Sequence, residues 1–138
     1  MDRNFIRTVL FVGFLSLFLV ACGGGRYGDL TAQQYNQKPF TVAIPAGTDN
    51  SVVIDAAEAA LLGREWSITS QSDNEIVGNL VHRYYDATVT IKIEGNHAVL
   101  YSDAKYDGPQ VDNPVPGVPV GWLKNLKADM DAKLGNPG

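Results

Sequence analysis

The sequence is poor in the residues that cross-link a chain or carry it through a membrane. It has one cysteine and two histidines in 138 residues, and it contains no internal repeat. A single cysteine cannot form a disulfide within the chain, so packing alone must stabilise the fold. The longest apolar run, residues 9–20, has 12 residues. This is too short for a membrane-spanning helix, which needs roughly 20.

A surplus of positive charge is also absent. The chain has 11 Lys and Arg against 15 Asp and Glu, a net charge of −4. Removal of residues 1–21 would take away Arg3, Arg7 and Asp2 and leave a net charge of −5. This balance argues against nucleic acid as a partner and against a broad electrostatic attraction to anionic lipid.

Motifs of nucleophilic catalysis and phosphate binding are lacking. There is no G-x-S-x-G elbow. His97 and Ser102 are an odd number of positions apart on one predicted strand, so they point to opposite faces. The glycines at 23–25 neither follow a strand nor open a helix, as a phosphate loop would. We therefore predict that the protein is not an enzyme and has no cofactor.

Metal-ligating side chains are few and badly spaced. In a meander, one strand separates His82 from His97, which places their backbones about 9.5 Å apart, and no third ligand is evident. Asp103, Asp107 and Asp112 do not follow the alternating spacing of a calcium loop. The sequence therefore predicts no metal site.

The N-terminus has the layout of a secretory signal. Arg3 and Arg7 precede the apolar run, which ends in Leu19-Val20-Ala21-Cys22. This ending resembles the lipobox of bacterial lipoproteins. The resemblance implies cleavage after residue 21 and acylation of Cys22 by fatty acids such as palmitate. Several acyl chains anchor a protein firmly in a membrane, whereas a single chain binds only marginally. A signal peptide with an incidental cysteine and an uncleaved signal anchor are the alternatives.

The resemblance also implies a location. In such lipoproteins, Asp after the modified cysteine favours retention in the inner membrane, and Gly23 is not Asp. We therefore expect an outer-membrane lipoprotein that faces the periplasm. Residues 22–37 are polar and rich in Gly and Gln, and we interpret them as the lipidated N-terminus and a flexible tether with a span on the order of 20 Å. Residues 38–135 then form a single domain.

Hydrophobic periodicity predicts the elements of this domain. The predicted strands are 40–44, 65–70, 75–83, 87–93 and 97–103, and the predicted helices are 52–62, with Gly63 as its C′ residue, and 120–134. The strand 87–93 has the clearest period of two, with Ala87, Val89, Ile91 and Ile93 inward. The apolar stripe of the first helix is Val53, Ile54, Ala57, Ala60 and Leu61. That of the second is Trp122, Leu123, Leu126, Met130 and Leu134, opposite a wet face of Lys124, Lys127, Asp129 and Asp131. We predict an α+β fold, a mostly antiparallel sheet of four to five strands with two helices packed on one face, in the order β-α-β-β-β-β-α.

Two connections need separate interpretation. A two-residue loop at Gly95-Asn96 would bury Ala98 and Leu100, whereas a three-residue loop would bury His97, Val99 and Tyr101. We favour the three-residue loop because it buries a larger aromatic side chain. Residues 104–119 hold four prolines and two glycines, which predicts a long irregular loop.

A set of spaced aromatic, aliphatic and arginine residues runs through the domain. Trp66 is followed by Leu80-x-x-Arg83-x-Tyr85-x-Ala87-x-Val89-x-Ile91, Tyr101 and Trp122-x-x-x-Leu126. Over residues 50–134 this pattern resembles a group of small uncharacterised lipoproteins of Gram-negative bacteria, although Tyr85 stands where that group has His. The resemblance implies a single compact domain and no particular mechanism.

The best candidates for a binding surface are Arg83, Tyr84, Tyr85 and Tyr106, because Arg and Tyr are common anchors in interfaces. Alternatively, Arg83 pairs with Asp86 and one tyrosine completes the core. We expect a non-enzymatic envelope lipoprotein that acts through protein contacts or as an accessory to envelope assembly or maintenance. The alternative is a small periplasmic ligand-binding domain that uses the loop 104–119.

Overall fold

The computed structural model describes residues 30–137, which form three helices and six strands. Cys22, the predicted signal peptide and the first part of the tether lie outside these residues. The elements are α1 (Ala32–Tyr35), β1 (Phe40–Ala43), α2 (Asn50–Gly63), β2 (Ser67–Gln71), β3 (Glu75–His82), β4 (Tyr85–Glu94), β5 (His97–Tyr106), β6 (Val115–Pro116) and α3 (Val120–Leu134).

The strands form one antiparallel sheet in the order β1-β5-β4-β3-β2. The short strand β6 also pairs with β5, on the edge that β1 occupies further along. The predicted α+β class with an antiparallel sheet is confirmed. The predicted element order lacked α1 and β6, because elements of four and two residues are too short for a periodic signal.

The inner face of the sheet carries the core. Ala87, Val89 and Ile91 of β4 are fully buried, while Thr88 and Thr90 between them are half-buried on the other face. The predicted period of two in this strand is therefore confirmed. Helices α2 and α3 pack on the inner face and contact each other, α2 over β2 and β3 and α3 over β1.

The register of the β4–β5 hairpin differs from the prediction. Glu94 pairs with His97, so the loop has two residues, and Ala98 and Leu100 are fully buried. Tyr101 lies on the outer face, where its hydroxyl donates to Glu94 Oε2 at 2.8 Å and the pKa of Tyr101 is raised by this bond. Gly95 has φ of 62°, and glycine at the first loop position favours a two-residue turn over the wider loop.

Helix α2 lies close to the sheet. All the residues of its predicted apolar stripe are buried, namely Val53, Ile54, Ala57, Ala60 and Leu61. A Cβ added to Gly78 of β3 would come within 2.9 Å of Leu61 Cδ2. Small residues on both elements therefore set the distance between the helix and the sheet.

The end of α2 is not at the predicted C′ glycine, because Gly63 is still helical. Glu65 takes the left-handed conformation with φ of 67°. The amide of Trp66 donates to the carbonyl of Leu61 at 3.0 Å, and the amide of Glu65 donates to that of Leu62 at 3.1 Å. These bonds define a Schellman motif with Glu65 at C′, where glycine is the usual residue.

Helix α3 follows its prediction from Val120 to Leu134 and ends at Gly135, which has φ of 76°. Asp131, predicted on the wet face, is only 8% exposed. Its carboxylate accepts hydrogen bonds from Lys127 Nζ at 2.7 Å and Asn136 Nδ2 at 3.0 Å. No helix within residues 30–137 is long and apolar enough to cross a membrane.

Residues 30–37, expected to belong to the tether, pack on the domain. Thr31 caps α1 through a capping box with Gln34. The Tyr35 side chain is 3% exposed, and its hydroxyl donates to the carbonyl of Leu100 at 2.7 Å. The folded unit therefore begins at least eight residues before residue 38.

Candidate functional site

The site is built around the hairpin that joins β3 to β4. His82 pairs with Tyr85, which leaves Arg83 and Tyr84 as a two-residue loop. Both have positive φ, 47° for Arg83 and 72° for Tyr84. This is the geometry of a type I′ turn, which favours Asn-Gly. A left-handed residue other than glycine costs roughly 1–2 kcal/mol, and such strain is often found at functional sites.

Strand pairing places aromatic rings next to one another at this end of the sheet. His82, Tyr85 and Tyr106 form one row across β3, β4 and β5 on the inner face. The ring centroids of Tyr85 and Tyr106 are 5.1 Å apart, and those of Tyr84 and Tyr106 are 6.3 Å apart. Three of the four predicted binding residues therefore lie in contact, and Arg83 lies beside them, exposed at the turn.

Two tryptophans complete this group. Trp122 lies in the first turn of α3. Its ring centroid is 5.5 Å from the centroid of the Tyr85 ring, 6.1 Å from that of His82 and 6.2 Å from that of Trp66. We call these six residues the aromatic cluster: Trp66, His82, Tyr84, Tyr85, Tyr106 and Trp122. The sequence patterns predicted Trp66 on one face of a strand and Trp122 in the apolar stripe of a helix, and they did not predict this association. The two-residue loop at Arg83-Tyr84 aligns His82 with Tyr85, but Arg-Tyr lacks the Asn-Gly signature of a type I′ turn, so no turn signal in the sequence indicated this alignment.

The hairpin loop beside the aromatic cluster is open to solvent. Val81 is 69% exposed and Tyr84 is 61% exposed, and Arg83 lies between them in sequence. Asp86 accepts a hydrogen bond from Asn79 Nδ2 at 2.9 Å, and neither of the two ion pairs found within residues 30–137 includes Arg83. We call Val81, Arg83 and Tyr84 the hairpin tip.

The loop 104–119 is more regular than expected. Its first three residues end β5, and residues 115–116 form β6. The Tyr106 ring lies over the buried Gly108, where any side chain would collide with it, and the Tyr106 hydroxyl donates to Gln110 Oε1. The open space beside the loop is a groove of about 310 Å³, lined by Val81, Tyr84, Tyr85, Asp86, Lys105, Asp107 and Pro114.

A second cavity lies on the other side of Trp122. It has a volume of about 200 Å³ and is lined by Arg64, Glu65, Trp66, Leu80, His82, Trp122 and Asn125. It opens where the C-terminus of α2, the end of β3 and the first turns of α3 meet. Both tryptophans of the chain therefore line one cavity.

The histidines and Ser102 do not assemble a reactive centre. His82 and His97 are at opposite ends of the sheet, nine positions apart along β4, or about 30 Å, instead of the expected 9.5 Å. The Ser102 hydroxyl donates to the carbonyl of Thr88 at 3.2 Å. Within the described part of the chain, no group of three or more His, Cys, Asp or Glu is placed to hold a metal ion. The geometry of the site is suited to contact through aromatic rings.

Comparison with known proteins adds no family to this description. No protein-family model matches the chain, and no curated protein shows significant similarity to it. A function for this protein must therefore follow from the site itself, from the N-terminal sequence and from how the two are connected.

Proposed function

We propose that the protein is a non-enzymatic lipoprotein of the bacterial envelope. In this proposal residues 1–21 are a signal peptide, and Cys22 carries the lipid that anchors the domain to the outer membrane, facing the periplasm. The domain acts through contact with another envelope protein, as an accessory to envelope assembly or maintenance. The observation that carries the proposal is the exposed hairpin tip held on a rigid aromatic base.

The hairpin tip has the chemistry of an interface anchor. Tyr and Arg are enriched among the residues that contribute most to protein binding. The Tyr84 ring is held edge-on by Tyr106, which in turn contacts Tyr85. Because the ring is already positioned, a partner that binds it loses less conformational entropy than with a free side chain.

The N-terminal attachment keeps the tip near the anchor. The carbonyl of Leu30 accepts a hydrogen bond from the amide of Val118 at 2.7 Å, close to β6. Val115 of β6 pairs with Tyr106, so the chain joins the domain at the end of the sheet that carries the tip. Seven residues separate Cys22 from Leu30, and they reach at most about 28 Å. A partner of the tip would therefore lie close to the membrane.

Replacement of Cys22 by Ser tests the anchor. The wild-type protein should fractionate with membranes, and mass spectrometry should find a lipid adduct on its N-terminal peptide. The Cys22→Ser protein should be released in soluble form with an unchanged melting temperature, because the substitution removes no contact among residues 30–137. Retention of the variant in the membrane fraction would refute the lipid anchor.

Site-specific photo-crosslinking tests the contact surface. A photoreactive phenylalanine analogue at position 84 should give one discrete adduct with an envelope protein, and Arg83→Asp should reduce its yield. The same analogue at Ser70, an exposed position on β2, is the control. Equal adducts from both positions, or none from position 84, would argue against the hairpin tip as the interface.

A small-ligand-binding domain is the second candidate. The observation in its favour is the groove of about 310 Å³, to which Asp107 and Pro114 of the loop 104–119 contribute. A ligand of this groove should raise the melting temperature of the wild-type protein and should fail to do so when Lys105 and Asp107 are both replaced by Ala. An unchanged thermal shift in that double variant would exclude the groove.

A further inference from the structure

The cavity between α2 and α3 is lined by two indole rings, the carboxylate of Glu65 and the guanidinium of Arg64. The indole rings of Trp66 and Trp122 meet at 88°, with their centroids 6.2 Å apart. Perpendicular aromatic rings at the corner of a cavity are the arrangement that binds alkylammonium groups, because a cation is attracted to the negative face of each ring. The Trp122 ring also contacts the rings of Tyr85 and His82.

Arg64 is the one Lys or Arg side chain that lines the cavity, and it forms an ion pair with Asp129. Arg64 donates from Nε to Asp129 Oδ2 at 2.8 Å and from Nη2 to Asp129 Oδ1 at 3.1 Å. This bidentate bond lowers the pKa of Asp129, which therefore stays ionised and opposes the charge of Arg64. The guanidinium is thus compensated and repels a second cation only weakly.

Glu65 adds a carboxylate to the lining of the cavity, and its left-handed backbone conformation destabilises the fold. It occupies the left-handed C′ position of α2 with φ of 67°, where glycine would be free of strain. Within residues 30–137 its side chain has neither an ion pair nor a hydrogen bond. Neither helix capping nor packing therefore accounts for a glutamate here, and local strain of this kind is a recognised mark of functional positions.

We infer that this cavity binds a small alkylammonium group, held by the indole rings of Trp66 and Trp122, of which Trp66 is only 3% exposed, and by the carboxylate of Glu65. The volume of about 200 Å³ is below the roughly 300–1,000 Å³ of sites for drug-sized ligands, so it admits a head group. The acidic balance of the chain, −4 overall, also favours a cation. This inference is independent of the lipid anchor and of the hairpin tip.

Intrinsic fluorescence tests the inference directly, because both tryptophans of the chain line the cavity. The full chain in non-ionic detergent is titrated with choline chloride, with its neutral isostere 3,3-dimethyl-1-butanol, and with sodium chloride. We expect a saturable change in emission with choline and none with sodium chloride. The neutral isostere should bind about fivefold more weakly, the loss that about 1 kcal/mol of cation–π attraction would produce.

Two substitutions at Glu65 separate binding from folding. Glu65→Gln should weaken choline binding about two- to fivefold, as expected for loss of an exposed charge pair. Glu65→Gly should weaken it similarly and also raise the melting temperature by a few degrees, because it removes the left-handed strain. Glu58→Gln, which removes a carboxylate from the same helix, is the control and should bind choline as the wild type does.

Three results would overturn the inference. The first is the absence of a saturable signal with choline, both in fluorescence and in titration calorimetry. The second is equal affinity for choline and its neutral isostere, which would mean a merely apolar cavity. The third is unchanged choline affinity in Glu65→Gln. None of these results bears on the lipid anchor, which the Cys22→Ser experiment tests separately.

Discussion

Individual residues of this domain adopt conformations that their side chains disfavour. Glu65, Arg83 and Tyr84 are the residues other than glycine with positive φ between positions 30 and 137. Glu65 lines the cavity at Trp66 and Trp122, and the other two form the hairpin tip. The strain therefore lies at the two surfaces for which we propose binding roles, and its relief should stabilise the fold.

Arg83→Asn should raise the free energy of unfolding by about 0.5–1 kcal/mol. Asparagine accepts the left-handed conformation of a type I′ turn better than arginine, and Arg83 has no ring contact to lose. Urea unfolding of the two proteins measures the difference. Arg83→Ala is the matched control, because it removes the same charge without relieving the strain. A gain of the same size in Arg83→Ala would assign the effect to charge.

Ionisation of Tyr35 should lower the free energy of unfolding at high pH. Burial raises its pKa to about 12, although the hydrogen bond from the Phe40 amide opposes this. Between pH 10 and 12 the unfolded chain releases a proton that the folded chain retains, so the free energy of unfolding should fall by about 1.4 kcal/mol per pH unit.

Tyr35→Phe isolates this effect. It should cost about 1–3 kcal/mol at pH 7, because the carbonyl of Leu100 and the amide of Phe40 lose their common partner. Its unfolding free energy should also decline less steeply than that of the wild type above pH 10. Urea unfolding at pH 7, 10, 11 and 12 compares the two proteins, and parallel profiles would contradict the assignment.

At the scale of elements, the distance between α2 and the sheet is set by small side chains. Alanines 56, 57 and 60 are buried on the helix, and Gly78 is buried beneath Leu61. Leu61 is itself fully buried, so it has no free volume into which to move. The close approach also positions Trp66, which follows the end of α2 and forms one wall of the cavity.

Gly78→Val should lower the free energy of unfolding by about 1–3 kcal/mol, the usual cost of overpacking a core. Its Cβ would meet Leu61 Cδ2 at 2.9 Å, and the branched side chain adds two further carbons. Gly121→Ala on α3 is the control, since an added Cβ there meets nothing within 4 Å and should stabilise the helix by about 1 kcal/mol. Thermal unfolding of both proteins measures these changes, and an unaffected Gly78→Val protein would show that the helix can move.

At the scale of the whole molecule, three separate segments complete one edge of the sheet. β1 pairs with the first half of β5, and β6 pairs with its end. Between them the Asn36 side chain takes the place of a strand. Its Nδ2 donates to the carbonyl of Ser102 at 2.9 Å, and its Oδ1 accepts from the Ser102 amide at 3.0 Å. Residues 30–37 therefore belong to the fold, and Asn36 protects a sheet edge that could otherwise pair with a strand of another chain.

Asn36→Ala should cost about 2 kcal/mol, because it leaves two backbone groups of Ser102 without their partner. Hydrogen exchange should locate the loss, with faster exchange of the Ser102 amide. Gln37→Ala, at an exposed neighbouring position, is the control and should change stability little. If the two variants are equally stable, the Asn36 side chain does not stabilise this edge of the sheet.

Local periodicity determined the elements whose pattern is long. The alternation from Ala87 to Ile93 placed β4 with its inner face correctly, and the apolar stripe at Leu123, Leu126 and Met130 placed α3. Both signals arise within ten to fifteen residues and depend only on the geometry of a strand or a helix. The sequence alone therefore determined the α+β class and the antiparallel sheet.

Only the tertiary structure decided which residues meet across the chain. The aromatic cluster joins Trp66 to Trp122, 56 positions away, and Asn36 bonds to a residue 66 positions away. A shift of one residue in a hairpin moves every side chain to the opposite face, and at Gly95-Asn96 the burial of Ala98 and Leu100 fixes the register that the turn glycine favours. Contacts of this kind follow from packing between elements, and a pattern along one element does not contain them.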